Sequence, residues 1–440
     1  MSVRVGRRAF TIGALLATHA SARPRLPVGG RLTFRVPWPV ASFDPHRVDD
    51  PTSAFFGEAL FDTLYARDES GSIAAQLAES DPEPDGATLR VKLRTGLRTA
   101  RGKPFEPRDA AFALNRARSG GARAWLAEIP APRLDGRALV FAMRDAARLV
   151  RALASPLVAM VPQGFAPESP DGTGPFRHTT RGDALVLVRN ANAARGPAFL
   201  EEVVVRAAPD RISSLREFEG ATDDLGWHGP GLHEPRAGQR PFDLGAVGWA
   251  VLATGRDAAD WDAPGVAQTV CDDIPASRVK EYNLGPDWPP PAANGWGGPS
   301  GVLVVRDDCP WLVDLARAIA ATISRPSHEI TARSVPASEF AQRRNARSYA
   351  LALDVVRPLA PGGLGAMVAL ATADGAGSAA GLVTHPPKIG DASARTMTRT
   401  LRLGVVGELR VMGGRIPELS LAPSTSTFGF DLGATTRRRA

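Results

Sequence analysis

At 440 residues the chain is too long for one ordinary core, and two or three domains are expected. Its 44% hydrophobic and 22% charged residues suit a folded, soluble chain and exclude collagen-like, coiled-coil and disordered classes. The net charge of +7, from 53 basic and 46 acidic side chains, lacks a dense basic stripe with interleaved aromatics, which speaks against a nucleic-acid partner. No apolar run reaches the roughly 18 to 20 residues that span a bilayer.

The first 22 residues read as an address. Arg4, Arg7 and Arg8 precede an apolar stretch from Ala9 to Ala17, and Ala20-Ser21-Ala22 supplies a small-x-small end. That is the three-part pattern of a secretory signal, with cleavage expected after Ala22. Removing it leaves 50 basic against 46 acidic residues, a net charge of +4. The Arg7-Arg8 pair before Ala9-Phe10 resembles a twin-arginine signal, favoured over a Sec signal that also carries arginines here. No cysteine stands near the cut, so a freely diffusing periplasmic protein, not a lipoprotein, is expected.

Arg31 to Val36 then alternates as a half-buried strand, and Phe43-Asp44-Pro45-His46 is a turn. A helix is expected from Ser53 to Tyr65, and a strand with one wet face from Ala87 to Arg94. Pro107-Arg108-Asp109 opens a helix through Arg118, with Asp109 near its positive end. Leu134 to Phe141 reads as one strand, and Asp145 to Leu153 as a helix. Strands follow at Leu185 to Arg189 and Glu202 to Ala207, then a helix from Ile212 to Phe218. Beyond about residue 240 the pattern loosens, and the Pro/Gly-rich stretches at 287–291 and 294–300 mark a loop. Regular structure resumes with a strand from Val302 to Arg306 and a helix from Trp311 to Ser324. Strands are expected from Ile330 to Val335, from Tyr349 to Val355, and again from Leu401 to Leu421. The mixture argues for an α/β or α+β fold.

Several of these segments match, in order, bacterial extracellular solute-binding proteins of family 5, which serve dipeptide, oligopeptide and nickel importers. Phe43-Asp44-Pro45-His46 resembles that family's opening turn, and Leu77-Ala78-Glu79-Ser80 is identical to its "LAES". Glu58 to Leu64, Leu89 to Leu97 and Gly102 to Leu114 resemble the segments around it. Gly172-Thr173-Gly174-Pro175-Phe176 is its "GTGPY/F". Val188-Arg189-Asn190, Phe199 to Val203 and the tail from Gly407 to Leu432 continue the series. The resemblance implies an α/β, two-lobed clamshell of the periplasmic-binding-protein type, type II-like, with a satellite domain on the first lobe. The first lobe would collect residues 23–41, 163–240 and 401–440. The satellite would be 42–162 and the second lobe 241–400. A small solute would bind between lobes that close about a hinge, and a monomer would present it to the permease subunits of an ATP-driven importer. A ligand sensor or a degenerate scaffold on the same fold is the alternative.

A cleft for such solutes needs apolar walls and a few orienting polar groups. Thr222 to His228 is similar to a strand that reaches the family's cleft edge, making Trp227 and His228 candidates. Trp249 lies where the chain enters the second lobe. Ser348 to Asp354 is similar to a strand of the opposing lobe, but Val355-Val356-Arg357-Pro358 stands in place of the family's Gly-Trp and following acidic loop. Asp354 would pair a ligand's amine, whereas Arg357 would pair an anion. The family's helix near Val266 to Arg278 is only faintly echoed. Gly172 and Gly174 are read as fold-bearing.

No nucleophile elbow, HExxH or Walker sequence is present, so no catalytic residue, cofactor or metal is assigned. His228, His233 and Glu234 are the closest metal-type set, in a Gly/Pro-rich loop. Asp223-Asp224 and Asp272-Asp273 are neighbours in sequence, which suits no shared acid–base site. Cys271 and Cys309 are read equally as one disulfide or as two buried thiols.

Overall fold

A computed structural model describes residues 28–36, 40, 43–68, 70–208, 211–227, 239–275, 278, 284–285, 296–360, 362–375, 377–385, 397–425 and 430–438. The signal segment, His228 and the His233–Glu234 set lie outside the described residues.

Strand β1 (Arg31–Val36) buries Leu32, Phe34 and Val36 and turns Arg31, Thr33 and Arg35 outward, the period-two pattern read from its sequence. After it the chain builds a side structure. The helix Pro51–Leu60 starts on Asp50, whose carboxylate accepts from Thr52 N at 3.0 Å, with proline at the first helical position. It stops at Leu60, five residues short of the expected end. The Leu60 carbonyl accepts from Gly174 N at 3.1 Å, so a distant loop takes the bond the next turn would have made.

The hairpin of β2 (Tyr65–Arg67) and β3 (Ile73–Ala75) follows. Next comes a separate four-stranded sheet of β4 (Glu83–Asp85), β5 (Thr88–Lys92), β6 (Arg133–Asp135) and β7 (Ala138–Phe141), in the order β4-β5-β7-β6. The stretch read as one strand over Leu134 to Phe141 is therefore two, folded back at Gly136, whose φ of 57° lies in the region glycine adopts at no steric cost. The helix Pro107–Ser119 covers this unit, and Asp109 accepts from Glu106 N and Gln163 N. The helix Ala146–Leu153 is capped by Asp145.

The main sheet resumes with β8 (Phe176–Arg181), β9 (Ala184–Arg189), β10 (Glu202–Ala207) and β11 (Leu225–Trp227). β12 (Arg240–Thr254) is next, then β13 (Leu284–Gly285), β14 (Gly301–Arg306), β15 (Ile330–Val335), β16 (Leu351–Val356) and β17 (Leu403–Arg415). The strands of the main path run β15-β14-β16-β12-β17-β11-β1-β10-β9-β8, with β13 paired to β17. β18 (Leu419–Pro423) and β19 (Phe430–Arg437) form a separate hairpin.

Where the sequence pattern loosened, the structure has a 15-residue strand, β12. Its inner half is buried from Ala250 to Thr254 between β16 and β17, so it lacks the alternation of a half-wet strand. Its pairing with β17 shifts register between Asp243 and Ala246, Ala246 and Gly248, and Ala250 and Val251. Such bulges bend a strand and sharpen its twist. They sit where the half holding β1, β8–β11 meets the half holding β14–β16. Cys271 and Cys309 are two buried thiols and form no disulfide.

Candidate functional site

The turn Asp44-Pro45-His46 is tied down before any ligand is considered. Both Asp44 oxygens accept from Arg116, at 2.7 and 2.6 Å. His46 Nε2 donates to the Ala159 carbonyl at 2.8 Å, leaving Nδ1 to accept from Arg116 at 2.9 Å. Burial holds His46 down to about 4, so it is neutral and the arrangement is uncharged at the ring. Asp44 is held below its usual range because Arg116 outweighs the cost of burial. These residues fasten the turn to the side structure.

Beside that turn lies a cavity of about 400 Å³, at the small end of the ~300–1,000 Å³ that small-molecule sites occupy. Ser53, Gly57 and Glu58 of the helix Pro51–Leu60 form one wall, and the β2–β3 hairpin contributes Ala66, Arg67, Ala74 and Gln76. Arg195 and Asp431 lie on another side, and Arg357, just past the end of β16, lines it from the other half of the molecule. The halves touch here: Arg357 N donates to the Val48 carbonyl at 2.8 Å, and Ser155 Oγ to the Leu359 carbonyl.

The cationic groups of the cavity differ in one respect. Arg195 gives Nε to Asp62 at 2.7 Å and Nη2 to the Glu58 carbonyl at 2.8 Å. Arg357 is only 2% exposed, yet its Nε and Nη1 find no hydrogen-bond partner among the described residues. Burial pushes its guanidinium down to about 10, against the pull of Asp50, Asp44 and Glu58, so it stays charged at neutral pH.

The other expected site residues lie elsewhere. Asp354 is buried in β16, 3.4 Å from Arg344 Nε, and also accepts from Val355 N. Trp249 is half-buried in β12, paired with Val356, and Trp227 pairs through its backbone with Gly413. Neither Asp354 nor Trp249 lines the cavity. Glu58 and Arg195 were not singled out from sequence. Glu58 sat inside a matched segment as a helix residue, and Arg195 fell in the unmatched gap between Asn190 and Phe199.

Asp223, the partner in the acidic pair before β11, is buried, with Arg35 Nε 3.2 Å from one oxygen but neither oxygen in hydrogen-bond geometry. Burial raises it from 3.8 to about 6 despite Arg35. The folded state therefore keeps this proton to higher pH than the unfolded chain, and stability falls as pH rises from about 4 to about 6. Asp374, also raised to about 6, adds to the same slope. Melting temperatures across pH 4 to 8 for wild type and Asp223→Asn are expected to diverge over that window, the variant being the more stable at the alkaline end.

Residues 72–234 match the family described as bacterial extracellular solute-binding proteins, family 5 middle. Over that stretch the chain is similar to this family. Solved structures carry the likeness in fold over nearly the whole length of the chain. The oligopeptide-binding protein AppA of Bacillus subtilis, in complex with a nonapeptide, superposes with a TM-score of 0.71 at 14% identity, covering 94% of this chain and 100% of its own. DppA of Helicobacter pylori, with the peptide STSA, gives 0.69 at 15%, covering 94% and 99%. NikA of Staphylococcus aureus, with Ni(L-His)2, gives 0.66 at 14%, covering 92% and 100%. No curated protein matches by sequence. The shared fold is the two-lobed one of these proteins, as the ordered motifs implied.

Proposed function

We propose that the chain is the binding component of an ATP-driven importer, taking a peptide or related small solute between its two halves and presenting it to membrane permease subunits. The observation that carries this reading is the cavity of about 400 Å³, walled by the helix Pro51–Leu60 on one side and closed by Arg357 from the other half. A site formed by both halves fills only when they come together, which couples occupancy to shape. The first lobe then comprises 23–41, 163–240 and 401–440, the satellite 42–162 and the second lobe 241–400. The protein works as a monomer in the periplasm, exported by its first 22 residues.

A thermal-shift screen of the protein against di-, tri- and longer peptides, nickel chelates and sugars tests this. A ligand held only by the folded state stabilises it by about 2.7 kcal/mol at one hundred times its Kd. One class is expected to raise the melting temperature with concentration. Gly57→Leu is expected to abolish the rise, because a Cβ at Gly57 meets nothing within 4 Å and a larger side chain would fill the cavity. Absence of a shift with every class, from folded protein, would sink the receptor reading.

A further inference from the structure

We propose that the solute is a small oxyanion, a carboxylate or phosphate compound without a free ammonium group, anchored by Arg357. This rests on the receptor reading above and narrows its ligand class. A guanidinium offers five donors, and a buried one left unmatched costs free energy that the fold must recover elsewhere. Such a group asks for an explanation, and an absent acceptor is the direct one.

No carboxylate among the described residues supplies that acceptor. Asp44 gives both oxygens to Arg116. Asp50 accepts from Thr52 N, Ser53 Oγ and Asp44 N. Glu58 Oε2 accepts from Ser424 Oγ at 2.7 Å. They attract Arg357 at a distance, but each has its own donors.

The same accounting leaves no acid for an ammonium. Asp431, on the cavity wall, accepts from Gly433 N and lies 3.4 Å from Arg195. Asp68 accepts from Ser70 and Ser72. Asp354, three residues before Arg357, is held by Arg344 and Val355 N outside the cavity. An amine entering here would lose its water, meet a bare guanidinium and find every described carboxylate engaged. A carboxylate or phosphate meets the opposite: an undercoordinated cation whose fork geometry suits two oxygens. The modest volume further limits the solute to something far smaller than a long peptide.

The test is isothermal titration of the protein with four probes. Acetyl-alanyl-alanine carries a carboxylate and no ammonium, alanyl-alanine amide the reverse, and alanyl-alanine both; propyl phosphate separates the two oxyanion types. At least one of the two anions is expected to bind about ten-fold or more tighter than the amide, and Arg357→Met to weaken it by about 30-fold or more. Without ligand, Arg357→Met is expected to melt no lower than wild type, since it removes a buried charge without its full set of partners. Equal affinity for acid and amide, anion binding retained in Arg357→Met, or a large loss of melting temperature in that variant would each overturn the proposal. If neither anion binds while another class succeeds in the thermal-shift screen, this inference falls and the receptor reading stands. If nothing binds in either experiment, both fall.

Discussion

Replacing Gly172 with alanine is expected to cost about 3 kcal/mol or more, near the top of what single substitutions do. An added Cβ there would stand 2.0 Å from the Leu60 carbonyl oxygen and 2.6 Å from Phe61 Cδ1. The obstacle is backbone, which has no rotamer to change, so relief requires separating the loop from the end of the helix Pro51–Leu60. That loop is held on both sides. Gly172 O accepts from Ala100 N at 2.8 Å, Gly174 N donates to Leu60 O at 3.1 Å, and Thr173 Oγ1 donates to buried Asp62 at 2.7 Å. Gly174 is equally tight, its added Cβ lying 2.6 Å from the Leu60 carbonyl carbon. Urea unfolding followed by circular dichroism reads the cost. Gly57→Ala is the control: it lies inside the same helix with open space around it, and is expected to gain roughly 0.5–1 kcal/mol. A Gly172→Ala midpoint matching wild type would show that the close approach is not a constraint.

The second large effect is expected at Arg195. Its guanidinium holds Asp62, whose side chain is wholly buried, and reaches Asp431 and the Glu58 carbonyl. Arg195→Met would leave the Asp62 carboxylate with Thr173 as its remaining side-chain donor. Removing one partner of a buried pair costs about 3–5 kcal/mol, and the part-exposed Arg195 places this case near the lower figure. The double variant Asp62→Asn/Arg195→Met is expected to recover most of the loss, because it removes the stranded charge. Additive losses in the two single variants and the double would mean the pair carries no coupling.

Much of the fold was legible because it is written locally. β10 and β15 fall on the segments expected, since short runs rich in β-branched residues between turns are a local strand signal. Asp145 and Pro107 mark helix starts by chemistry that acts within one turn. β12 was not legible, because a strand buried between two neighbours loses alternation and its glycines imitate a loop. The early stop of the helix at Leu60 depends on Gly174, more than a hundred residues away, and no local signal carries it. The site follows the same division. Arg357 stood out in sequence as a candidate partner for an anion, but its lack of partners is a property of three dimensions. Asp354 and Arg357 looked equivalent in sequence. Arg344, brought by a neighbouring helix, engages one and not the other.

The placement of β1 has a consequence for biosynthesis. This strand emerges first among the described elements, yet it pairs in parallel with β10, whose residues come some 170 positions later, and with β11 beyond that. β11 in turn needs β17, at Gly413 to Arg415. The earliest described strand to leave the ribosome therefore waits for about half the chain before both its edges are paired, and β11 beside it waits for β17. Loops of that length are slow to close, and an apolar strand left with open edges invites wrong pairing. Refolding of the intact protein should accordingly be slow, and a nascent chain stalled before β17 should need a chaperone to stay soluble.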